Sequence, residues 1–355
     1  VHIIACRYFN SQSLSGDGGA IGIKNSQKVT VNSTKFINGS ASLTGVFSIT
    51  FGEQLIFWRT KFYNNKGIER GGGLYFGNIE IVMINDCIFE KNKADSSVGV
   101  VHFTSCTKVT IMFCKVLANR AFSMGVIYAE EFKYMISIKN YFFKNKNFGA
   151  IQIVSGENFI DYNGKYLSNE KKDGGAGINA VTISYCLIFS GKMMHNKAIQ
   201  SGGALWFQEV NHIIISKSTF TFNQAEGSGG LASITKVKLP FVIILSIFNN
   251  NNASRNGGCL RLVDVPLVIV LRSVFRNEYT GESGGVLHIS GKDKEGKIKM
   301  NHICFVSNVA NTKAATLYIS FPPEIVIYQV KFINNIAIEK AGDFLVHLPP
   351  ESSNI

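Results

Sequence analysis

Proline is scarce in this sequence, 6 residues of 355, and no apolar run approaches the roughly 18 residues that a membrane-spanning helix needs. Little proline beside 34 glycines argues against the two ordinary domains that the length alone would allow. The missing run leaves no membrane span in this segment. Helical periodicity is missing as well, since apolar residues nowhere recur at i, i+3 and i+4 over a helix-length stretch. The Leu-x-x-Leu-x-Leu pattern of leucine-rich repeats is also absent. A hydrophobic fraction of 46% excludes disorder. The apolar residues gather in short β-branched runs, such as Phe241-Val242-Ile243-Ile244-Leu245 and Val268-Ile269-Val270-Leu271, bounded by Gly, Asn and Ser. Such runs read as strands.

The runs recur in phase. A Gly pair followed by apolar-x-apolar stands at Gly18-Gly19-Ala20-Ile21, Gly202-Gly203-Ala204-Leu205 and Gly284-Gly285-Val286-Leu287. Its second Gly, or a remnant, continues as Gly19, Gly45, Gly72, Gly99, Gly125, Gly149, Gly175, Gly203, Gly230, Gly258, Gly285, Ala315 and Gly342, in steps of 24 to 30 residues. Upstream lie two apolar residues two apart and then an aromatic, as in Val29, Val31 and Phe36 or Val268, Val270 and Phe275. An Asn follows the aromatic by two or three residues: Asn38, Asn65, Asn92, Asn223, Asn277, Asn308 and Asn335. The unit from Asn158 to Gly175 is the most degenerate, keeping Tyr166 and Asn169 without a clear Val-x-Val strand.

One such unit holds too few strands to bury a core, so units must stack. In a parallel stack, equivalent residues lie about 4.8 Å apart and like sits on like. Phe47, Leu74, Val101, Ile127, Ile151 and Leu205 then form one interior column, and Ile49, Phe76, Phe103, Ile153 and Phe207 its neighbour. The expected fold is all-β: a right-handed, single-stranded parallel β-helix of about 13 rungs, each of roughly 27 residues, spanning residues 1–355 as one solenoid. The chain starts at Val1, inside a repeat and with no signal-peptide pattern, and reads as part of a larger chain.

The Phe-x-x-Asn motif at Phe62, Phe89, Phe142, Phe220, Phe248, Phe305 and Phe332, in phase with Gly-Gly-Ala-Ile/Leu at Gly18 and Gly202, resembles the repeats of chlamydial polymorphic outer-membrane proteins and related protist surface proteins. Those belong to the pectin-lyase-like β-helix superfamily. The resemblance covers essentially the whole chain and implies a secreted or cell-surface adhesin-like protein. The C-terminal membrane barrel of the bacterial proteins is not present in this sequence.

Other β-helices of that superfamily process polysaccharides, which needs two or three carboxylates converging on one glycosidic bond, or clustered Asp with calcium. The aspartates here are dispersed. Asp161 and Asp173 share a unit and flank a basic segment with Lys165, Lys171 and Lys172, and they are the best candidates for such a cluster. The 7 Cys lack metal spacing and read as small residues in a stacked column, although Cys87 and Cys114 would be vertical neighbours within reach of a disulfide. The 7 His form no zinc or triad constellation, and no glycine-rich loop enters a helix. No catalytic residue, metal or cofactor is assigned. Sequons stand at Asn32, Asn38 and Asn252.

A formal charge of +12, from 36 Lys and Arg against 24 Asp and Glu, favours acidic partners, but the charges are scattered along the chain and read as a solvated surface. The expected function is a non-enzymatic extracellular or cell-surface structural and adhesive module. A polysaccharide lyase or glycoside hydrolase, or a subunit of a filament or coat, are the alternatives. The expected partners are cell-surface glycans or other proteins, with lateral or end-to-end assembly, and not nucleic acid. The candidate binding face is the outward position between the two interior columns, which includes Tyr75, His102, Tyr128, Gln152, Ile178 and Trp206. Tyr75, His102, Tyr128 and Gln152 would make a vertical strip of rings and hydrogen-bonding groups suited to sugars or a partner protein.

Overall fold

One turn of the chain is four short strands and four sharp corners. In the computed structural model, which describes residues 1–14, 18–42, 46–67, 73–95, 99–291, 296–320 and 324–347, a representative turn runs Leu205–Gln208, His212–Ser216, Thr219–Thr221 and Gln224–Ala225. Glu209, Lys217, Phe222 and Gly229 make its corners, with φ of 56°, 50°, 56° and 66°. In other turns the first two strands run together, as in Leu74–Asn85, bent at Asn78 with φ of 55°. A non-glycine residue in this left-handed region costs about 1 kcal/mol or more. Among the described non-glycine corner residues only Thr182 is β-branched, the side-chain class least tolerant of that geometry.

Every strand pairs in parallel with its equivalent one turn away. The first interior column runs Ile21, Phe47, Leu74, Val101, Ile127, Ile151, Ile178, Leu205, Ala232, Leu260, Leu287, Leu317 and Phe344, partner to partner. Thirteen stacked positions make twelve turns. The protein is an all-β parallel solenoid, and no helix occurs among the described residues. The first three strands of each turn join one 32-stranded sheet, and the short fourth strands form sheets of four and seven.

Two ladders line the interior. The aromatic column stacks ring on ring, with centroids 5.0 Å apart for Phe36–Phe62 and Phe62–Phe89, and 4.4 Å for Phe248–Phe275. Val116 and Met193 interrupt it. The second ladder is asparagine. Asn65 Nδ2 donates to Asn92 Oδ1 at 2.9 Å and to the Phe36 carbonyl at 3.1 Å, while the Asn65 backbone N–H donates to the same Asn92 Oδ1 at 3.0 Å. The pattern repeats through Asn119, Asn145, Asn169, Asn196, Asn223 and Asn251. A buried amide with both protons donated and both lone pairs filled carries no desolvation debt.

The register differs from the sequence reading in two places. Gly175, with φ of 71°, is equivalent to Gly202, with φ of 68°, rather than Gly203, because Ile178 pairs with Leu205, three residues beyond each. Ile178 therefore faces inward, fully buried, and Asn179 takes the outward place beside Trp206. The Asn motif splits into two columns. Asn38 and Asn277 are exposed corner residues, with φ of 54° and 53°, while the buried ladder position one residue later is held by Gly39 and Glu278. Gly45 and Gly72 lie outside the described residues.

The thiols are free. Cys87 and Cys114 are vertical neighbours, with Cys114 Sγ accepting the Cys87 N–H at 3.4 Å and each Sγ bonded to a carbonyl two residues back. Thr60, Ser218, Ser246 and Ser273 make the same backbone bond. Cys186 departs from that column: it lies in the interior apolar one, between Phe159 and Ile213.

Glu278 tests the ladder. It accepts from Asn251 N at 3.0 Å and Asn251 Nδ2 at 3.2 Å, but a carboxylate has no proton to donate where every Asn donates two. Burial pushes its carboxyl well above the ordinary range, so the native state holds a proton that the unfolded chain releases. The stability this contributes is complete below the unfolded pKa of about 4.3 and is lost as pH rises, by up to about 1.4 kcal/mol per unit. Glu278→Asn is expected to raise the melting temperature more at pH 8 than at pH 4. Asn223→Leu, which unpairs the Asn196 amide and the Met193 carbonyl, is expected to cost about 4 kcal/mol in urea unfolding.

Candidate functional site

The strip anticipated from sequence is assembled in register: Tyr75, His102, Tyr128 and Gln152 pair in successive turns on the outer face of the first strand. The Tyr75 and His102 rings meet edge to face at 5.1 Å, and those of His102 and Tyr128 lie 5.2 Å apart. Glu130, two residues beyond Tyr128, ties them together. Its Oε1 lies 3.2 Å from His102 Nε2, and its Oε2 accepts the Tyr128 hydroxyl proton at 2.8 Å. The contact with His102 holds the Glu130 carboxyl below its usual range despite partial burial, while burial first and Glu130 second push the Tyr128 phenol up.

Little ring surface is free, however. Tyr75, His102 and Tyr128 are only 9%, 5% and 5% exposed, and Gln152 is half-buried. At Gln152 and Trp206 the glycine-rich segment of one turn lies across the outward residue of the next. A Cβ on Gly125 would stand 2.7 Å from the Gln152 backbone nitrogen, and one on Gly174 would stand 2.8 Å from the Trp206 ring. Glycine here permits a backbone to cover a side chain. Gln152 Oε1 accepts from Gly125 N–H at 3.1 Å and from Lys171 Nζ at 3.3 Å. Tyr128 remains a neutral donor, Glu130 is occupied on both oxygens, and the arrangement offers no nucleophile.

The second candidate cluster does not assemble. Asp161 occupies an inward position between Ser137 and Ile188 and is fully buried, accepting from Ser137 Oγ at 2.7 Å and Tyr166 Oη at 2.9 Å. Burial pushes its carboxyl up to about 6. Asp173, Lys165 and Lys172 are exposed on the outside. Lys171 replaces the alanine of a column that continues as Ala198, Ala225 and Ala253, and burial lowers its ammonium to about 7. Among the described residues no group of three His, Cys, Asp or Glu could hold a metal ion.

A feature unread in the sequence lies at the corner between the first and second strands. Corner residues Ser105, Glu131, Ser155, Thr182, Glu209, Lys236 and Asp264 border two depressions of about 600 and 450 Å³ that share Thr182. Together they form an axial groove roughly 29 Å long at the spacing of stacked strands. Glu131, Glu157, Glu209 and Asp264 supply carboxylates, and Lys133, Lys236 and Lys238 supply ammoniums. Glu131 accepts the Ser105 hydroxyl at 2.6 Å, and Lys236 pairs with Glu209 at 3.0 Å. These residues are scattered in the sequence and become neighbours only through the register, whose signal was the column spacing itself.

Compared with protein-family models, curated proteins and solved structures, the chain matches none.

The strip's burial has a measurable consequence. A variant carrying Tyr75→Ser, His102→Ser and Tyr128→Ser is expected to melt several degrees lower with binding to cells intact. An unchanged melting temperature with binding lost would instead make the strip a contact face.

Proposed function

We propose that the chain is a non-catalytic structural and adhesive module of an extracellular or cell-surface protein. The observation that carries this reading is how the solenoid uses its polar residues. Interior polar side chains close ladders, as in the asparagine column, and Asp161 is spent on Ser137 and Tyr166 inside the coil. Five of the thiols are buried and take no part in surface chemistry. The in-phase Phe-x-x-Asn and Gly-Gly-Ala-Leu motifs support kinship with the polymorphic outer-membrane repeats and, through them, the adhesive role and pectin-lyase-like membership. Repetitive flat faces, rather than a single cleft, are what such a module offers to glycans or proteins.

The axial groove favours a second reading. A linear polysaccharide fits its length, and Glu131, Glu157, Glu209 and Asp264 are the carboxylates a glycan-processing enzyme would draw on. Incubation with a panel of neutral and acidic polysaccharides separates the two. No new reducing ends or unsaturated products are expected. Turnover abolished by Glu131→Gln or Glu209→Gln would replace the adhesive reading with the enzymatic one.

A further inference from the structure

We infer that the corner between the second and third strands is a binding site for a linear acidic glycan; this deepens the adhesive reading and rests on it. The register gathers charges that are dispersed in sequence. The first residue of the third strand is Arg7, Lys35 and Lys61 in the first three turns and, after Ile88, continues as Lys115, Tyr141, Lys165 and Lys192. Two residues earlier, at the left-handed corner, stand Arg59, Lys139 and Lys217. Over nine turns that edge carries these nine cations and one acid, Asp86, in a chain whose overall ratio is 36 to 24. All nine are exposed.

Their countercharges are missing. Among the described residues only Arg59 of the nine has a carboxylate in reach, Asp86 at 3.6 Å. The neighbouring lysine row, one corner further on, is neutralised: Lys66 and Lys93 share Asp95 at 2.8 and 2.6 Å, and Lys197 pairs with Glu226 at 2.8 Å. Several cations of the edge rest on rings instead. Arg59 lies 5.8 Å over Trp58, Lys139 lies 5.6 Å over Phe113, and Lys217 lies 5.2 Å over Phe189. A cation on a ring keeps its charge available to an anion while its position is held.

Shape selects the ligand. At one turn per 4.8 Å the nine turns span roughly 38 Å, in a row one or two charges wide along a convex edge. A single file of cations matches a chain of anions better than the plane of a bilayer. The adjoining outward column of the second strand carries the exposed Trp58 and Tyr162 and the half-buried Phe189 and, among its described members, no carboxylate, so aromatic surface lies beside the charges for a pyranose ring to pack against. Single-stranded nucleic acid shares that geometry, and the adhesive reading is what favours the glycan.

Binding of a size-defined heparin oligosaccharide to the chain, followed by surface resonance across a salt series, tests the proposal. Affinity is expected to fall steeply with salt. Lys115→Glu, Lys139→Glu, Lys165→Glu and Lys192→Glu together should weaken binding by roughly a hundredfold with the melting temperature kept, all four being exposed. Lys24→Glu, Lys28→Glu, Lys299→Glu and Lys340→Glu, an equal charge change at exposed sites outside this edge and outside the axial groove, should shift it within about threefold. Equal losses in both variants, no binding by the unaltered chain, or tighter binding to an oligothymidylate or to phosphatidylserine vesicles would overturn the site. Cell attachment measured in parallel separates the two levels. Attachment without heparin binding leaves the adhesive reading standing and removes the glycan site, whereas loss of both removes both.

Discussion

Each turn of this chain depends on its neighbours for its hydrogen bonds. The described strands pair in parallel with their equivalents one turn away, and the corners between them take left-handed backbone that most residues resist. A turn alone is therefore strained and unsatisfied, and the stack is what makes it stable. Vertical registration is the constraint from which the rest follows. It forces like side chains into columns, and a column is tolerated only when its members satisfy one another. Asparagine meets that condition with a complete amide ladder, and phenylalanine meets it with parallel rings.

The same registration organises the surface. Residues about 27 apart in the chain become neighbours at strand spacing, so a lysine every unit becomes a charged edge and a carboxylate every unit becomes a groove wall. The groove between the first and second strands holds both signs of charge, and Lys236 and Glu209 neutralise each other across turns. The edge between the second and third strands is almost wholly cationic, and among the described residues only Arg59 on it meets a carboxylate, Asp86. This difference, rather than any single residue, distinguishes a scaffold surface from a binding surface in this solenoid. The proposed glycan site is argued from that asymmetry.

The fold was legible in the sequence because a column advertises itself as a spacing. Phe36, Phe62 and Phe89 stack as their period required, and Tyr75, His102 and Tyr128 come into register one above another. The reading slipped where a glycine was ambiguous: Gly175 fits either place of the pair, and only the pairing of Ile178 with Ile151 and Leu205 sets it inside. Asn38 and Asn277 were merged with the buried ladder because both columns favour asparagine, one for its left-handed backbone and the other for its amide. The burial of the Tyr75–Tyr128 strip was not legible, since strand alternation places these residues outward and does not tell what packs over them. Nor was the inward turn of Asp161, a carboxyl in an apolar column held by hydrogen bonds from Ser137 and Tyr166. The cationic edge was hidden for a simpler reason: charges dispersed along the chain are adjacent only after the register is known.

Cysteine cross-linking probes that register directly. Thr219 and Ile247 are paired partners on the outer surface, while Val274 lies one turn beyond Ile247. Directly opposed strand residues stand about 4.8 Å apart, inside the range a disulfide spans, and residues two turns apart stand at twice that distance, outside it. Thr219→Cys with Ile247→Cys should form a mapped disulfide under mild oxidation, and Thr219→Cys with Val274→Cys should not. Equal yields for the two pairs, or cross-linking of the second alone, would contradict the parallel stack of about 27-residue turns on which every other conclusion rests.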